Sequence, residues 1–482
     1  MIDALKSGKH AISHRPCVHI NLEHPDRTYT TSDKLSGTVQ VAVTSPTAVN
    51  SVHIHLLGIA RTRIIRPTMV VGKSDDSRGY HEFLNVAQPA LQDCLPSDQK
   101  LRPGQVYSFP FHFTIPKRLL PQVCSEHTEH SDVQDSHLAL PPSMDNRGLA
   151  TSDVLEDISS RPANVHYCIC ATVTGRSGSY DQSNSSILGK QVHHVRIVPT
   201  ASNSPAPWPY HTGNMPFEIC YRQKKILRRK LAAGVLGTVV VEAEQPQPLR
   251  VAQILDSSST LMFNTPELGL SLLFEPSSRK NTVPVVEKVT SKLKVHTCFT
   301  ATPEYDLPGL RRPMCDADAK RITESIDLGT HIIDNTPWRS VLDTHQPESS
   351  GAPPPYDGQT NELGCPPVLH GNIRPTLAHQ KLRESRVARL AVPLSCIAIT
   401  KPLVPTFFSC IVSQVYTLSL LISFKGTGYS SAVDLSIPVE VLARKATELA
   451  CKDSHFPLTS FNQAVSMVDS DHVDDAESCP TY

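Results

Sequence analysis

The chain carries no net charge: 46 basic side chains balance 46 acidic ones over 482 residues. No global field therefore draws it to nucleic acid or to a membrane, and any such attraction must come from a local patch. It also lacks an uninterrupted apolar run of about 18 residues, the length a membrane-crossing helix needs. The nearest run, Cys410 to Phe424, is broken by Ser413, Gln414, Thr417 and Ser419. The opening Met1-Ile2-Asp3-Ala4-Leu5-Lys6 has no apolar core of a secretory signal. A soluble, cytoplasmic protein with no nucleic-acid partner is expected. Its 13 cysteines are scattered without framework spacing, so reduced thiols are expected rather than a disulfide scaffold.

Catalytic signatures are missing too. The chain has no G-x-S-x-G elbow, phosphate-binding loop, H-E-x-x-H pair or G-x-G-x-x-G turn. Single Ser, His and Asp residues abound, but no spacing ties them into a site. Neither an enzyme nor a bound cofactor is expected. Cys124, His127, His130 and His137 are zinc-ligand types, yet their spacing is irregular and histidine is common throughout, so no metal site is expected. Cys168 and Cys170 share one strand face and read as structural thiols.

What the chain does have is proline, 40 residues of it, with a modest hydrophobic fraction of 39%. That mixture suits folded domains carrying long loops. The dominant periodicity is two, the signature of strands with one buried face. Val52, Ile54 and Leu56 alternate with His53 and His55. Phe109, Phe111, Phe113 and Ile115 alternate with polar residues, and so do Val165, Tyr167, Ile169, Ala171 and Val173. The second half repeats the pattern in Leu293, Val295, Thr297 and Phe299, against Lys292, Lys294, His296 and Cys298. It recurs in Tyr416 to Phe424 and in Val433 to Val441, where Pro438 places the strand at an edge or its start. The best helix candidate, Lys224 to Ala233, is short. Many alternating strands punctuated by Gly and Pro point to β-sandwiches.

The most informative short segment is Pro353-Pro354-Pro355-Tyr356. Three prolines bias the backbone to an extended polyproline II helix whose carbonyls and ring faces remain free. WW domains read such segments in aromatic-lined grooves, and a tyrosine two residues after a proline pair fits their Pro-Pro-x-Tyr ligand pattern. Thr302-Pro303-Glu304-Tyr305 and the terminal Cys479-Pro480-Thr481-Tyr482 keep one proline and the tyrosine. Pro480 and Tyr482 make the better second candidate because they lie in a polar tail. A basic run, Arg222, Lys224, Lys225, Arg228, Arg229 and Lys230, could meet anionic lipid headgroups or an acidic cargo segment, or act as a nuclear signal. The plain alternative is a solvated junction.

Several strand segments resemble one family. Leu35-Ser36-Gly37-Thr38-Val39, then Val52 to Gly58 with Arg61-Thr62-Arg63, is similar to the start of an arrestin N-domain. Gly104 to Pro116, followed by Leu119-Leu120-Pro121 and Leu140-Pro141-Pro142-Ser143, resembles the fungal arrestin-like proteins, the α-arrestins. Tyr167 to Val173 resembles the late N-domain strand, and Cys410 to Leu418 with Ile437 to Val441 resembles the closing strands of the C-domain.

The resemblance implies an all-β chain of two consecutive arrestin-like β-sandwiches with long loop insertions and a disordered C-terminal tail. The expected division is residues 17–200 for the first sandwich, 201–216 for a linker and 217–445 for the second. An insertion at 302–374 carries the proline–tyrosine motif, and 446–482 form a flexible acidic tail. The resemblance also implies adaptor work. The Pro-Pro-x-Tyr motif would recruit a Nedd4-type HECT ubiquitin ligase through its WW domains to plasma-membrane transporters or receptors, promoting their ubiquitylation and endocytosis. Such a protein is cytoplasmic and peripherally recruited to plasma membrane or endosomes. The alternatives are an arrestin-like scaffold in ambient-pH or nutrient signalling, a ubiquitin-independent membrane-sorting adaptor, and a hydrolase built on a β-sandwich.

Overall fold

A computed structural model describes residues 15–67, 74–89, 95–124, 131–144, 162–176, 185–200, 220–229, 234–253, 260–262, 267–278, 280–303, 319–341, 385–394, 403–427 and 431–443. Among these the chain is all-β, arranged as sandwiches around two hydrophobic cores.

The first core lies between two sheets. One has three antiparallel strands, Lys34–Ala42 flanked by Cys17–Leu22 and Val106–Thr114. The other has five, in the order Thr28–Tyr29, Ser185–Ile197, Ala163–Arg176, Ser51–Pro67 and Ser74–Ala87. The alternating residues read from the sequence supply this core. Val52, Ile54 and Leu56 meet Phe109, Phe111 and Phe113 from the facing sheet, all buried. Burying each such side chain stabilises the fold by roughly 1.5–3 kcal/mol, which is why alternation fixes register. Gly37 is required by close packing: a Cβ there would lie 2.3 Å from the Asn21 carbonyl and 2.8 Å from the Phe111 ring.

The strand Ala163–Arg176 departs from simple alternation. Its core-facing residues are fully buried, but so are Cys168 and Cys170, and His166 nearly so. This strand is central in its sheet, and the face turned from the core is covered as well.

The second core is walled by Arg222–Arg228, Val235–Ala243, Glu267–Pro276, Ser385–Pro393 and Arg339–Val341 on one side. The other wall contains Ala319–Ile332, Val286–Thr300, Val412–Phe424 and Phe407–Phe408, with Val433–Val439 paired to Val412–Phe424. Pro438 thus lies in a strand at the margin of its sheet, as its missing amide donor requires. The short helix candidate at Lys224 to Ala233 is not a helix where described. Arg222–Arg228 is a strand, because Gln223, Lys225 and Leu227 turn inward while Arg222, Lys224, Ile226 and Arg228 face out.

The segment 302–374, expected to hold few strands, contains the 14-residue strand Ala319–Ile332. It hid from periodicity because Leu328 is its one buried side chain. A bulge accounts for that geometry: Ser291 pairs with Gly329 and Lys292 with Asp327, leaving Leu328 as the extra residue. Gly329 adopts φ 97°, and the Asp327 carboxylate accepts its amide at 2.8 Å.

Val286–Thr300 and its partner Val412–Phe424 belong to both cores. Val286, Val289 and Leu293 pack in the second, whereas Phe299 and Val412, paired in register, pack in the first. The expected solvent face of the first of these strands ends at Lys294. His296 and Cys298 are buried because the strand there enters the junction, with both of its faces covered. The His296 ring bridges Thr323 Oγ1 at 2.9 Å and Thr417 Oγ1 at 2.8 Å.

Phe299→Ala should cost about 3–5 kcal/mol. Hydrogen exchange should show lost protection in strands of both cores, whereas Phe274→Ala, in the second core only, should leave the first protected.

Candidate functional site

Part of the junction between the cores is made of backbone and small side chains. Thr62 Oγ1 donates to the Thr300 carbonyl at 2.5 Å, and Thr300 N donates to the Ile411 carbonyl at 3.0 Å. A Cβ on Gly79 would fall 2.4 Å from Thr62 Oγ1 and 2.9 Å from the Ala301 carbonyl, so glycine allows this approach.

Beside this seam two distant pieces of chain meet. The segment from Arg118 to Ala139 is drawn closed by Leu119 N donating to the Leu138 carbonyl at 2.8 Å and by a bridge between Arg118 and Ala139. An ion pair of Arg118 with Asp135 at 2.6 Å lies over it. Within the segment are the short 3-10 helix Pro121–Val123 and the helix Ser131–His137. Val133 of that helix packs on Phe408. Phe408 leads into a tight turn in which Ser409 N donates to the Val412 carbonyl at 2.9 Å and Val412 N to Ser409 Oγ at 3.2 Å.

The result is a buried cluster of Cys124, His137 and Cys410. Cys124 Sγ lies 3.5 Å from His137 Nδ1, and Cys410 Sγ lies 4.0 Å from the same atom. Burial pushes the Cys410 thiol up, and the neighbouring Cys124 adds to the shift. Of the four residues of ligand type noted in the sequence, the structure brings together Cys124 and His137; His127 and His130 lie outside the described residues. Cys410 was missed. It stands 273 positions from His137, and no spacing rule reaches that far. Cys168 is fully buried with its thiol raised to about 12, mainly by burial, so it is not a reactive nucleophile.

The basic run maps to the outer strand Arg222–Arg228 and its end. Arg222 pairs loosely with Glu242 at 3.8 Å, and Arg229 donates to Asn281 Oδ1 at 3.1 Å. Lys224 and Arg228 flank Ile226, which is 51% exposed, on the outward face, while Lys225 turns partly inward. Lys230 lies outside the described residues, as do Pro353, Pro354, Pro355, Tyr356, Pro480 and Tyr482. The ends of the connection carrying the proline–tyrosine motif are described, however. Residues 342–384 leave from Val341 and return at Ser385, which are register partners on the outermost pair of strands of a second-core sheet.

The fold and these surfaces define a two-core β-sandwich protein. Among the described residues no helix is long and apolar enough to cross a membrane. Residues 18–187 match the family model of the arrestin (or S-antigen) N-terminal domain. The match begins inside the first strand and ends within Ser185–Ile197, so it covers nearly all of the first sandwich. Residues 18–187 are therefore an arrestin-like domain, and that domain supports an adaptor or scaffold role. No curated protein matches the chain.

One histidine in the first sandwich sets a pH dependence. His193 is depressed below its usual 6.5, first by burial and then by His194 and His19, and its Nε2 has no hydrogen-bond partner among the described residues. Folding keeps this ring neutral at a pH where the unfolded chain already binds a proton. Its contribution to stability is complete above about 6.5 and is lost as pH falls through the lower folded value. Denaturant melts between pH 7 and pH 5, taken as a range of about two units around that value, should show falling stability, with a shallower slope in His193→Leu.

Proposed function

We propose that the chain is an adaptor that brings a Nedd4-type HECT ubiquitin ligase to plasma-membrane transporters or receptors and so promotes their ubiquitylation and endocytosis. The observation that carries this reading is the presence, in one chain, of an arrestin N-terminal domain and Pro353-Pro354-Pro355-Tyr356. The fold alone would not assign it, because one fold hosts many functions. The motif supplies the chemistry: a preformed polyproline II segment and a tyrosine that together fill a WW groove at low entropic cost. A connection that starts and ends at one edge of a sheet suits the task, since its anchors stay fixed while the motif is offered to a partner.

The mechanism is proximity. The adaptor performs no bond chemistry; it raises the concentration of ligase near the cargo. Pro480 and Tyr482 would give a weaker second contact, and two linked contacts bind more tightly than either alone. The outward face of Arg222–Arg228 suits an anionic membrane or an acidic cargo segment, with Lys224 and Arg228 as the charges and Ile226 as an apolar contact. In this reading the chain is cytoplasmic, with peripheral recruitment to plasma membrane or endosomes. It divides into a first sandwich at 17–200, a linker at 201–216, a second sandwich at 217–445 and an acidic tail at 446–482. The second reading, a signalling scaffold on the same fold, keeps the domain and dispenses with ubiquitin transfer.

Two measurements separate these readings. Isolated ligase WW domains should bind the full chain, and Tyr356→Ala should weaken binding at least about tenfold, or about 1.4 kcal/mol. Unchanged affinity would remove the motif from the mechanism. In cells, transporter ubiquitylation should fall with the same variant; normal ubiquitylation would favour the scaffold. Separately, charge-neutralising Lys224, Arg228 and Arg229 should reduce sedimentation with anionic vesicles by roughly 1 kcal/mol of binding per residue near the surface.

A further inference from the structure

We propose that Cys124, His137 and Cys410 form a zinc-binding site that staples the segment Leu119–Leu138 to the turn Ser409–Val412. This departs from the expectation of no metal, and it stands independently of the adaptor reading.

The geometry is the first argument. Zinc takes thiolate sulfur at about 2.3 Å and imidazole nitrogen at about 2.0–2.1 Å in a tetrahedron, which separates a sulfur from a nitrogen ligand by about 3.6 Å and two sulfurs by about 3.8 Å. Here the sulfur-to-nitrogen distances are 3.5 and 4.0 Å, and all three ligand atoms lie within 4.8 Å of one another. An ion fits among them with small side-chain adjustments and no change of backbone.

The second argument is charge and donor type. Two thiolates and a neutral imidazole cancel the two positive charges of zinc, so the loaded site is neutral. That matters at a place where Cys124, His137 and Cys410 are each less than 9% exposed. Sulfur and nitrogen donors select zinc over magnesium or calcium, which take oxygen. On binding, each thiol gives its proton to solvent, two sulfur–zinc bonds and one nitrogen–zinc bond form, and zinc stays divalent. A water would complete the tetrahedron, as zinc accepts when the protein gives three ligands.

The third argument is placement. The three donors sit on elements already held independently: the closed Arg118–Ala139 segment and the hydrogen-bonded Ser409 turn. Cys410 packs in the first core, and the strand that follows its turn, Val412–Phe424, continues into the second. A metal here would lock the seam through which the two cores touch.

The test uses full-length protein purified under reducing conditions without chelator. Metal analysis should give about one zinc per chain. Cobalt exchanged into the site should show thiolate-to-cobalt charge transfer and the strong visible bands of a tetrahedral ion. Cys124→Ser, His137→Gln and Cys410→Ser should each cut metal content by about tenfold or more, while Cys17→Ser, on an exposed cysteine outside the cluster, should leave it unchanged. Should a ligand variant fail to fold, wild-type protein decides the matter: a strong chelator should lower its Tm, and added zinc should restore it. Wild-type protein without metal and without a cobalt spectrum would overturn the proposal. So would metal retained in all three variants, a Tm insensitive to chelator and zinc, or a Cys124–Cys410 disulfide found by peptide mapping.

Discussion

The fold depends on one pair of strands. Val286–Thr300 and Val412–Phe424 are hydrogen-bonded along most of their length, and their inward residues are divided between two cores. A strand pair is stiff because its register cannot slip by one residue without turning a whole hydrophobic face to water. At one end Val289, Leu293, Leu420 and Ile422 are committed to the second core; at the other, Phe299, Ile411 and Val412 are committed to the first. The two sandwiches are therefore joined by shared covalent structure and shared burial, in addition to surface contact.

That coupling explains the make-up of the seam. Where the strand end meets the first sandwich, the close approach requires a glycine at Gly79, and the carbonyls of Thr300 and Ala301 approach Gly79 and Thr62. Buried carbonyls need donors, and Thr62 supplies one. Nearby, the helix Ser131–His137 and the Phe407–Phe408 strand close the seam with apolar contacts and leave three soft donors facing one another. The connection carrying Pro353 to Tyr356 leaves and returns at paired positions, Val341 and Ser385, of one sheet of this two-core body.

Much of the fold was legible because burial on one sheet face imposes a period of two. Tyr416, Leu418, Leu420, Ile422 and Phe424 announce their strand and are all buried. The same rule failed where a strand is covered on both faces or on neither. Cys168 and Cys170 were expected on a solvent face and are buried. Ala319–Ile332 buries little beyond the bulged Leu328 and gave no pattern to read. Lys224 to Ala233 was only a short helix candidate, and an outer strand accommodates its charges well, since every second side chain of Arg222–Arg228 meets water.

By itself the sequence determined the all-β class, the alternating faces of the core strands, the arrestin likeness of the first sandwich and the proline–tyrosine segment. Each of these is local: it rests on neighbours a few positions apart or on the fixed φ of proline. Only the tertiary structure decided that Cys410 joins Cys124 and His137, that His296 is held between Thr323 and Thr417, and that one strand pair serves both cores. Those outcomes depend on which distant segments are packed together, and packing is set by the whole pattern of burial, which no short window of residues contains.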